Sequence, residues 1–486
     1  MRSDDVNRFA IIVLLSKMNC LGGIVKNQSI ISLSVLLATA CLSTQAHAQH
    51  LKLTKQLGST KEIVQQLENV QTTNTLLEVY ENALQKNLPY LINDREYQQV
   101  LTRIDQAKSH KRLQISADAG VGVEKTYGNG SSTSPFATAG INASLNLYSK
   151  ELNLNVNIAE LDSQMAERQL VLAQQQLMVL VAQSYFDLIL KEDQLKLAEE
   201  KFATQNKLSE FTKARVNQGL ITKDQFSYVQ ADLKRAQLRL LEVSQQHEMA
   251  SLKFEKEFGV SFKVKLSAIN ASIPRIDQQS SEKWLHDAEQ NSLKVQIQSV
   301  ALEIANKDIA RARALSSPTV SLNAGASTSQ SNYNGINQNR FSEGSYVGVF
   351  INIPLYDGGL RSAVTKENIL RKDSAELESE SVRRQARFDA STAISGYTLA
   401  VNGIQSQRDI ISLTEEVVQS TQAAFDTGNT DYTKLLIEIN KLYDYKYELA
   451  QLNVKALASF IDLKLATSSL NNNDLLDVSK SLKKRR

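Results

Sequence analysis

The sequence predicts a mainly α-helical chain that also contributes strands to a membrane β-barrel, on three observations. The first is an internal duplication. Ile115-Ser116-Ala117-Asp118-Ala119-Gly120 matches Val320-Ser321-Leu322-Asn323-Ala324-Gly325, Leu147-Tyr148 matches Leu355-Tyr356, and Gly219 matches Gly428, at an offset of about 205 to 209 residues. The second is helix length. Residues 152–218 hold neither Gly nor Pro, enough for a helix of about 100 Å, and 360–427 repeat the run without Pro. The third is four stretches of about ten residues that alternate apolar with small polar side chains, the length a tilted strand needs to cross a bilayer.

The N-terminal end reads as a secretory leader over 1–48. Lys26 supplies the positive charge, 30–42 the apolar stretch, and Ala46-His47-Ala48 the small-x-small cleavage site, with Met18 as an alternative start. Cys20 and Cys41 both precede that site, so the processed chain carries no thiol; Cys41 leaves a lipoprotein reading open, against the poor match of Ala38-Thr39-Ala40. Beyond the leader no apolar run is long enough for a spanning helix, so any spanning falls to strands. The net charge of +3 over 486 residues argues against nucleic acid as a partner. His47, His50, His110, His247 and His286 include no pair at one-turn spacing, and nucleophile-elbow and phosphate-loop patterns are missing. No metal, cofactor or enzymatic activity is expected.

Taken in order, 49–74 is polar and expected to be flexible. The first repeat, 75–275, opens with a helix over 76–107, capped by Asn74 or Thr75 and kinked at Pro89. Strands follow over 112–124 and 138–148, around a loop rich in Gly, Ser and Asn. The helix 152–218 then carries a seam of Leu170, Ala173, Leu177, Leu180 or Val181, Ser184 and Leu188. It stops at Gly219-Leu220 and returns over 223–258. The second repeat, 276–468, opens with a helix begun by Trp284, places strands at 318–329 and 345–355, and ends in helices 360–427 and 432–466 around Gly428-Asn429. Residues 469–486, closing on Lys483-Lys484-Arg485-Arg486, read as a solvated polar and basic tail.

Four strands cannot close a barrel, so the rest must come from further copies of the chain; three copies give a shared barrel of about twelve strands. Tyr127, Phe136, Tyr148, Tyr346 and Tyr356 fall at strand ends, where an aromatic girdle is expected. Pro318 and Pro354 mark the barrel–helix junctions, because proline fits neither a continuing helix nor a mid-sheet ladder. The rival class is a periplasmic coiled-coil adaptor or structural protein, which would lack the four amphipathic strands.

Against this background the chain resembles the TolC family of outer-membrane export channels over about 75–468. The pieces that carry the resemblance are Ala182-Gln183-Ser184-Tyr185-Phe186-Asp187-Leu188, Arg215-Val216-Asn217-Gln218-Gly219-Leu220, Asn352-Ile353-Pro354-Leu355-Tyr356-Asp357-Gly358-Gly359 and Tyr447-Glu448-Leu449-Ala450-Gln451. The resemblance implies a homotrimer in outer-membrane lipid with a helical tunnel in the periplasm. It also implies docking to a periplasmic adaptor and an inner-membrane transporter of the RND, ABC or MFS type, for drug efflux or type I protein secretion. It implies a gate where the hairpins converge, with Phe425 as an aromatic gate residue. Thr430 stands where the family often has an arginine, and Lys434 and Ile437 where it often has aspartates. Asp426, Asp431 and Lys434 are then candidates for a substitute ion-pair set, with Asp224 a further candidate in the first hairpin. The resemblance also makes Gly219, Leu220, Gly428 and Asn429 the adaptor-docking tips.

Overall fold

In a computed structural model of the protein, the described residues are 71–73, 75–127, 132–262, 266–268, 271–276, 280–332 and 339–484. The expected leader, both cysteines and residues 49–70 lie outside them. The chain runs β1 (Gln71–Thr73), α1 (Leu76–Lys86), α2 (Leu88–Ser109), β2 (Gln114–Thr126), β3 (Ser132–Tyr148), α3 (Lys150–Asn217), α4 (Lys223–Phe258), β4 (Val260–Phe262) and β5 (Leu266–Ser267). It continues with α5 (Ser281–Asn291), α6 (Leu293–Ala314), β6 (Thr319–Asn332), β7 (Asn339–Asn352), α7 (Leu360–Asp426), α8 (Tyr432–Ala466), α9 (Asn472–Ser481) and β8 (Lys483–Lys484).

The helix expected over 76–107 is two helices. Asn87 is extended, caps α2 through its side chain on the Tyr90 amide, and places Pro89 in the first turn of α2, where a missing N–H costs nothing. A break therefore replaces the expected kink. Thr75 caps α1 in a reciprocal capping box with Glu78. The segment expected to be flexible pairs with the chain near its end: Gln71, Thr72 and Thr73 form β1, parallel to β4 at Val260, Ser261 and Phe262.

α3 and α7 are 68 and 67 residues long, about 100 Å each at 1.5 Å per residue. Each turns back through a short loop into a shorter antiparallel partner, α4 or α8, making two long hairpins. On α3 the buried positions Leu177, Val181, Ala182, Tyr185, Leu188 and Ile189 follow helical spacing, and of the two alternatives Val181 is inside while Leu180 is exposed. The main core is a belt around the middle of these helices. It unites Leu76, Val79 and Tyr80 of α1, the α3 stripe, Phe254 and Phe258 of α4, and Leu457 and Ile461 of α8.

The C-terminal segment belongs to that belt, which corrects the expectation of a solvated tail. Asn471 caps α9 in a capping box with Asp474, and Leu475, Val478 and Leu482 are buried in the core. β8 pairs antiparallel with β5, and Lys464 binds Asp474 at 3.3 Å. Three apolar side chains at one-turn spacing outweigh the surrounding Ser, Asn and Lys, since each buried Leu or Val contributes about 1.5–3 kcal/mol.

The four longer strands form one antiparallel sheet in the order β2-β3-β6-β7. The strands extend further toward their hairpin loops than the alternating stretches do, because Ser, Thr and Asn residues there still pair: Thr126 opposite Ser132, Asn332 opposite Asn339. No described residue of this sheet is buried on either face. Among the described residues its outer strands, β2 and β7, have no neighbour on their far edges.

Candidate functional site: the sheet and the hairpin tips

The register keeps the two faces of the sheet chemically apart. Ile115, Ala143, Ala324 and Val347 align across all four strands, and Ala117, Ile141 and Ala326 align across three, with Ser345 of β7 completing their row. One residue away, Ser116, Asn142, Gly325 and Tyr346 align on the opposite face, where the Asn142 amide donates to Asp118 Oδ1 at 2.9 Å. Because side chains alternate with period two, a one-residue slip would turn every Val and Ile to the polar side.

The aromatic residues divide between these faces, contrary to a single girdle. Phe136 and Tyr346 lie on the polar face, each across from a glycine of the neighbouring strand. A Cβ on Gly122 would meet the Phe136 ring at 2.5 Å, and one on Gly325 the Tyr346 ring at 2.5 Å. The rings fill the space these glycines leave, a pairing that covers bare backbone. Tyr148 reaches the apolar face because the register shifts between Asn146 and Tyr148, bringing it opposite Val320. Tyr127 follows the apolar parity of β2, and Tyr356 lies beyond β7 and is exposed.

The sheet–helix junctions differ between the repeats. In the first, β3 passes directly into α3, whose first turn is capped by the Ser149 hydroxyl on the Leu152 amide. In the second, Pro318 directly precedes β6 and Pro354 follows β7. Gly358 and Gly359 then adopt φ of +67° and +91° before α7. Arg361 holds that bend, donating to Asp357 at 2.6 Å and to the Pro354 carbonyl at 3.1 Å. The Arg361 backbone amide and then its side chain hold the Asp357 carboxyl below the usual carboxylate range.

At the far end of the helices the two tips share one backbone design. Gly219 N–H donates to Val216 O and Leu220 N–H to Arg215 O; Gly428 N–H donates to Phe425 O and Asn429 N–H to Ala424 O. This double bond pattern satisfies the last carbonyls of a helix and requires a left-handed residue, met by φ of +73° at Gly219 and +79° at Gly428. Nothing lies within 4 Å of a Cβ at either position, so backbone conformation alone demands glycine. Leu220, 69% exposed, projects from the first tip.

Between the tips lies a second, smaller core: Leu208, Val229, Phe425, Tyr432, Leu435, Leu436 and Ile439. Phe425, only 3% exposed, meets Phe211 and Tyr432 edge-on at centroid distances of 6.0 and 6.3 Å. The Tyr432 hydroxyl is buried without a hydrogen-bond partner, and burial raises its pKa above the usual phenol value, with Asp232 adding to the rise. Arg215 spans the two hairpins. Its Nη1 donates to the Phe425 carbonyl at 2.9 Å and its Nη2 to the Asp426 carbonyl at 2.7 Å. The guanidinium lies over the Phe211 ring at 4.6 Å and the Phe425 ring at 4.9 Å. A hydrogen bond from a charged donor contributes about 1.5–3 kcal/mol, and a cation over a ring about 0.5–1 kcal/mol where water has access. Further up, Thr204 meets the Tyr443 hydroxyl at 3.1 Å and Gln205 donates to Asn440 at 3.3 Å, so α3 and α8 are joined along this stretch.

The expected ion-pair set does not form within the protomer. Asp426 Oδ1 accepts from Gln422 at 2.9 Å, Asp431 caps α8 by position without a side-chain bond, and Asp431, Lys434 and Asp224 are exposed with no ion pair among the described residues. These residues are exposed, and backbone carbonyls and rings make the buried contact instead. Thr430 is half-buried beside the second turn. Arg215 is the residue that sequence reasoning quoted without assigning a role. No local signal marks it, because its partners are 210 and 211 positions away. The described residues include no group of side chains able to hold a metal ion and no helix apolar and long enough to cross a membrane.

Comparison with known proteins places this architecture. The sequence profile described as "Outer membrane efflux protein" matches residues 79–259 and 284–469, one match in each repeat. The chain is 24% identical to outer membrane protein TolC of Vibrio cholerae over 416 residues, covering 84% of this chain and 94% of that one. It is 23% identical to the proteases secretion protein PrtF of Dickeya chrysanthemi over 208 residues, 42% of this chain and 44% of that one. Among solved structures, CusC superposes with a TM-score of 0.68 at 17% identity, over 81% of this chain and 92% of that one, which shows the fold. The protein is an outer-membrane export channel whose long helices stand in the periplasm, and such channels work in tripartite systems with an adaptor and an inner-membrane transporter. The chain belongs to the outer membrane efflux protein family.

Proposed function

We propose that three copies of this chain assemble into one passive duct, with the four-stranded sheets closing into a twelve-stranded barrel and the hairpins converging into a gated tunnel. The observation that carries this reading is the sheet. Among the described residues it buries no side chain on either face and leaves both outer strands without a far-edge partner, yet it separates polar from apolar side chains along most of its rows. A free edge of thirteen or fourteen residues templates aggregation unless it is paired. Pairing β7 of one copy with β2 of the next removes every edge, turns the Val and Ile face to lipid and the Asn, Ser and Gly face to a water-filled lumen.

In this assembly Phe425, Asp426, Thr430, Asp431, Lys434 and Asp224 surround the periplasmic aperture, and Gly219, Leu220, Gly428 and Asn429 form the surface that meets the adaptor. Exposed Leu220 supplies an apolar contact there. Tyr127 and Tyr148 belong to the lipid-facing girdle. The transporter is of the RND, ABC or MFS type and sets whether the cargo is a small molecule or a secreted protein. Detergent-purified chain run on gels without heating, alongside sedimentation, tests the assembly: a heat-sensitive three-chain particle supports it, and a detergent-independent monomer refutes it. Crosslinking and pull-down from the native membrane then names the transporter.

A further inference from the structure

We propose that Arg215 is the latch of the periplasmic gate, a positioning residue that ties the end of α3 to the end of α7 and holds Phe425 closed. The inference rests on the export-duct reading and adds a residue to its gate. Three features single out Arg215. Its guanidinium bonds two successive carbonyls, Phe425 O and Asp426 O, at 2.9 and 2.7 Å. Those carbonyls belong to the last turn of α7, where no amide four residues on completes the helical ladder and the helix dipole is negative; Phe425 O also accepts from Gly428 N–H. The planar cation also sits between the Phe211 and Phe425 rings, at 4.6 and 4.9 Å, so one group caps a helix and clamps an aromatic pair.

The duplication makes the contact one-sided. The position equivalent to Arg215 in the second tip is Ala424, so the first tip donates and the second only accepts. Among the described residues no other charged side chain bonds from one tip to the other; Asp426, the nearest acid, is bound by Gln422 of its own helix. Above the latch, Thr204–Tyr443 and Gln205–Asn440 join α3 to α8, so releasing Arg215 frees the α7 end to swing while the hairpins stay attached higher up.

The test is single-channel recording in planar bilayers with full-length protein, alongside the gel migration of the unheated assembly. Arg215→Ala is expected to raise conductance several-fold with the assembly intact, and to sensitise cells to a large antibiotic such as vancomycin. Arg215→Lys keeps the charge but loses the planar two-pronged contact, and is expected to open the channel partly; it serves where the alanine variant does not assemble. Glu210→Gln removes an exposed charge near the end of α3 that is bound only by Asn206 of its own helix, at 3.2 Å, and is expected to conduct like the unaltered protein. Arg215 variants that assemble and conduct like the unaltered protein overturn the latch alone, as does a Glu210→Gln variant opening as widely as Arg215→Ala. An unaltered protein that never conducts overturns the duct reading, and the latch with it.

Discussion

The two hairpin tips are one backbone written twice with different chemistry. Both end a helix of nearly equal length, both turn on a left-handed glycine, and both close with the same pair of backbone bonds. On the return side they diverge. Thr222 caps α4 in a reciprocal box with Gln225, whereas Asp431 caps α8 without a side-chain bond. Across the turn the first tip offers Arg215 and the second offers the Phe425 ring and two main-chain carbonyls. The duplication thus preserved what the turn geometry requires and let the side chains become complementary. Because the acceptors are main-chain carbonyls, only the donor, Arg215, had to arise in one of the two copies.

Several measurements break or sharpen that comparison, in falling order of effect. Phe425→Ala should cost the tip region about 3–5 kcal/mol, because it empties a small core already near its minimum size; hydrogen exchange across 415–445 reads the loss. Its repeat equivalent, Val216, lies outside that core, so Val216→Ala should leave the same amides protected. Gly219→Ala and Gly428→Ala should cost about 1–2 kcal/mol each and almost equally, since neither Cβ meets a neighbour and only the left-handed conformation resists. A clear inequality in thermal stability would mean that the turns differ in more than side chains. Tyr432→Phe should hold or raise stability, by up to about 1–3 kcal/mol, because the hydroxyl is buried unpaired.

The same phenol gives a pH dependence. Burial raises its pKa in the folded state, so its share of stability is complete below the ordinary phenol value and lost as pH rises toward and through the folded value. Tip protection measured between pH 9 and pH 12 should fall less steeply in Tyr432→Phe. The smallest contrast concerns the caps: Thr222→Ala should lose about 1 kcal/mol, and Asp431→Ala less, for want of a bond to remove. Equal losses from the two caps, read as thermal shifts, would contradict the asymmetry.

What the sequence made legible is what depends on neighbours along the chain. Period-two alternation locates the sheet, a long run without Gly or Pro locates α3, and a lone glycine after such a run marks each turn. The parity of Phe136 and Tyr346 was also readable, since both share the even positions of Gly140 and Gly348 on the polar face; proximity to a strand end had outweighed it. The α9 helix left a signal as well, in Asn471 with Asp474 and in the spacing of Leu475, Val478 and Leu482. Composition had masked that signal. The latch left none. Its parts come from opposite repeats, one partner is a pair of main-chain carbonyls with no residue signature, and only the packed hairpins bring them together.

The central claim is that this sheet is a third of a sealed barrel. Site-directed spin labels on the free edges, one on β2 and one on β7, measure it most directly in detergent-solubilised protein. The account predicts a short label separation between neighbouring chains, at the spacing of paired strands, which heating to dissociate the assembly abolishes. Labels that remain far apart in an assembled, unheated sample would contradict it.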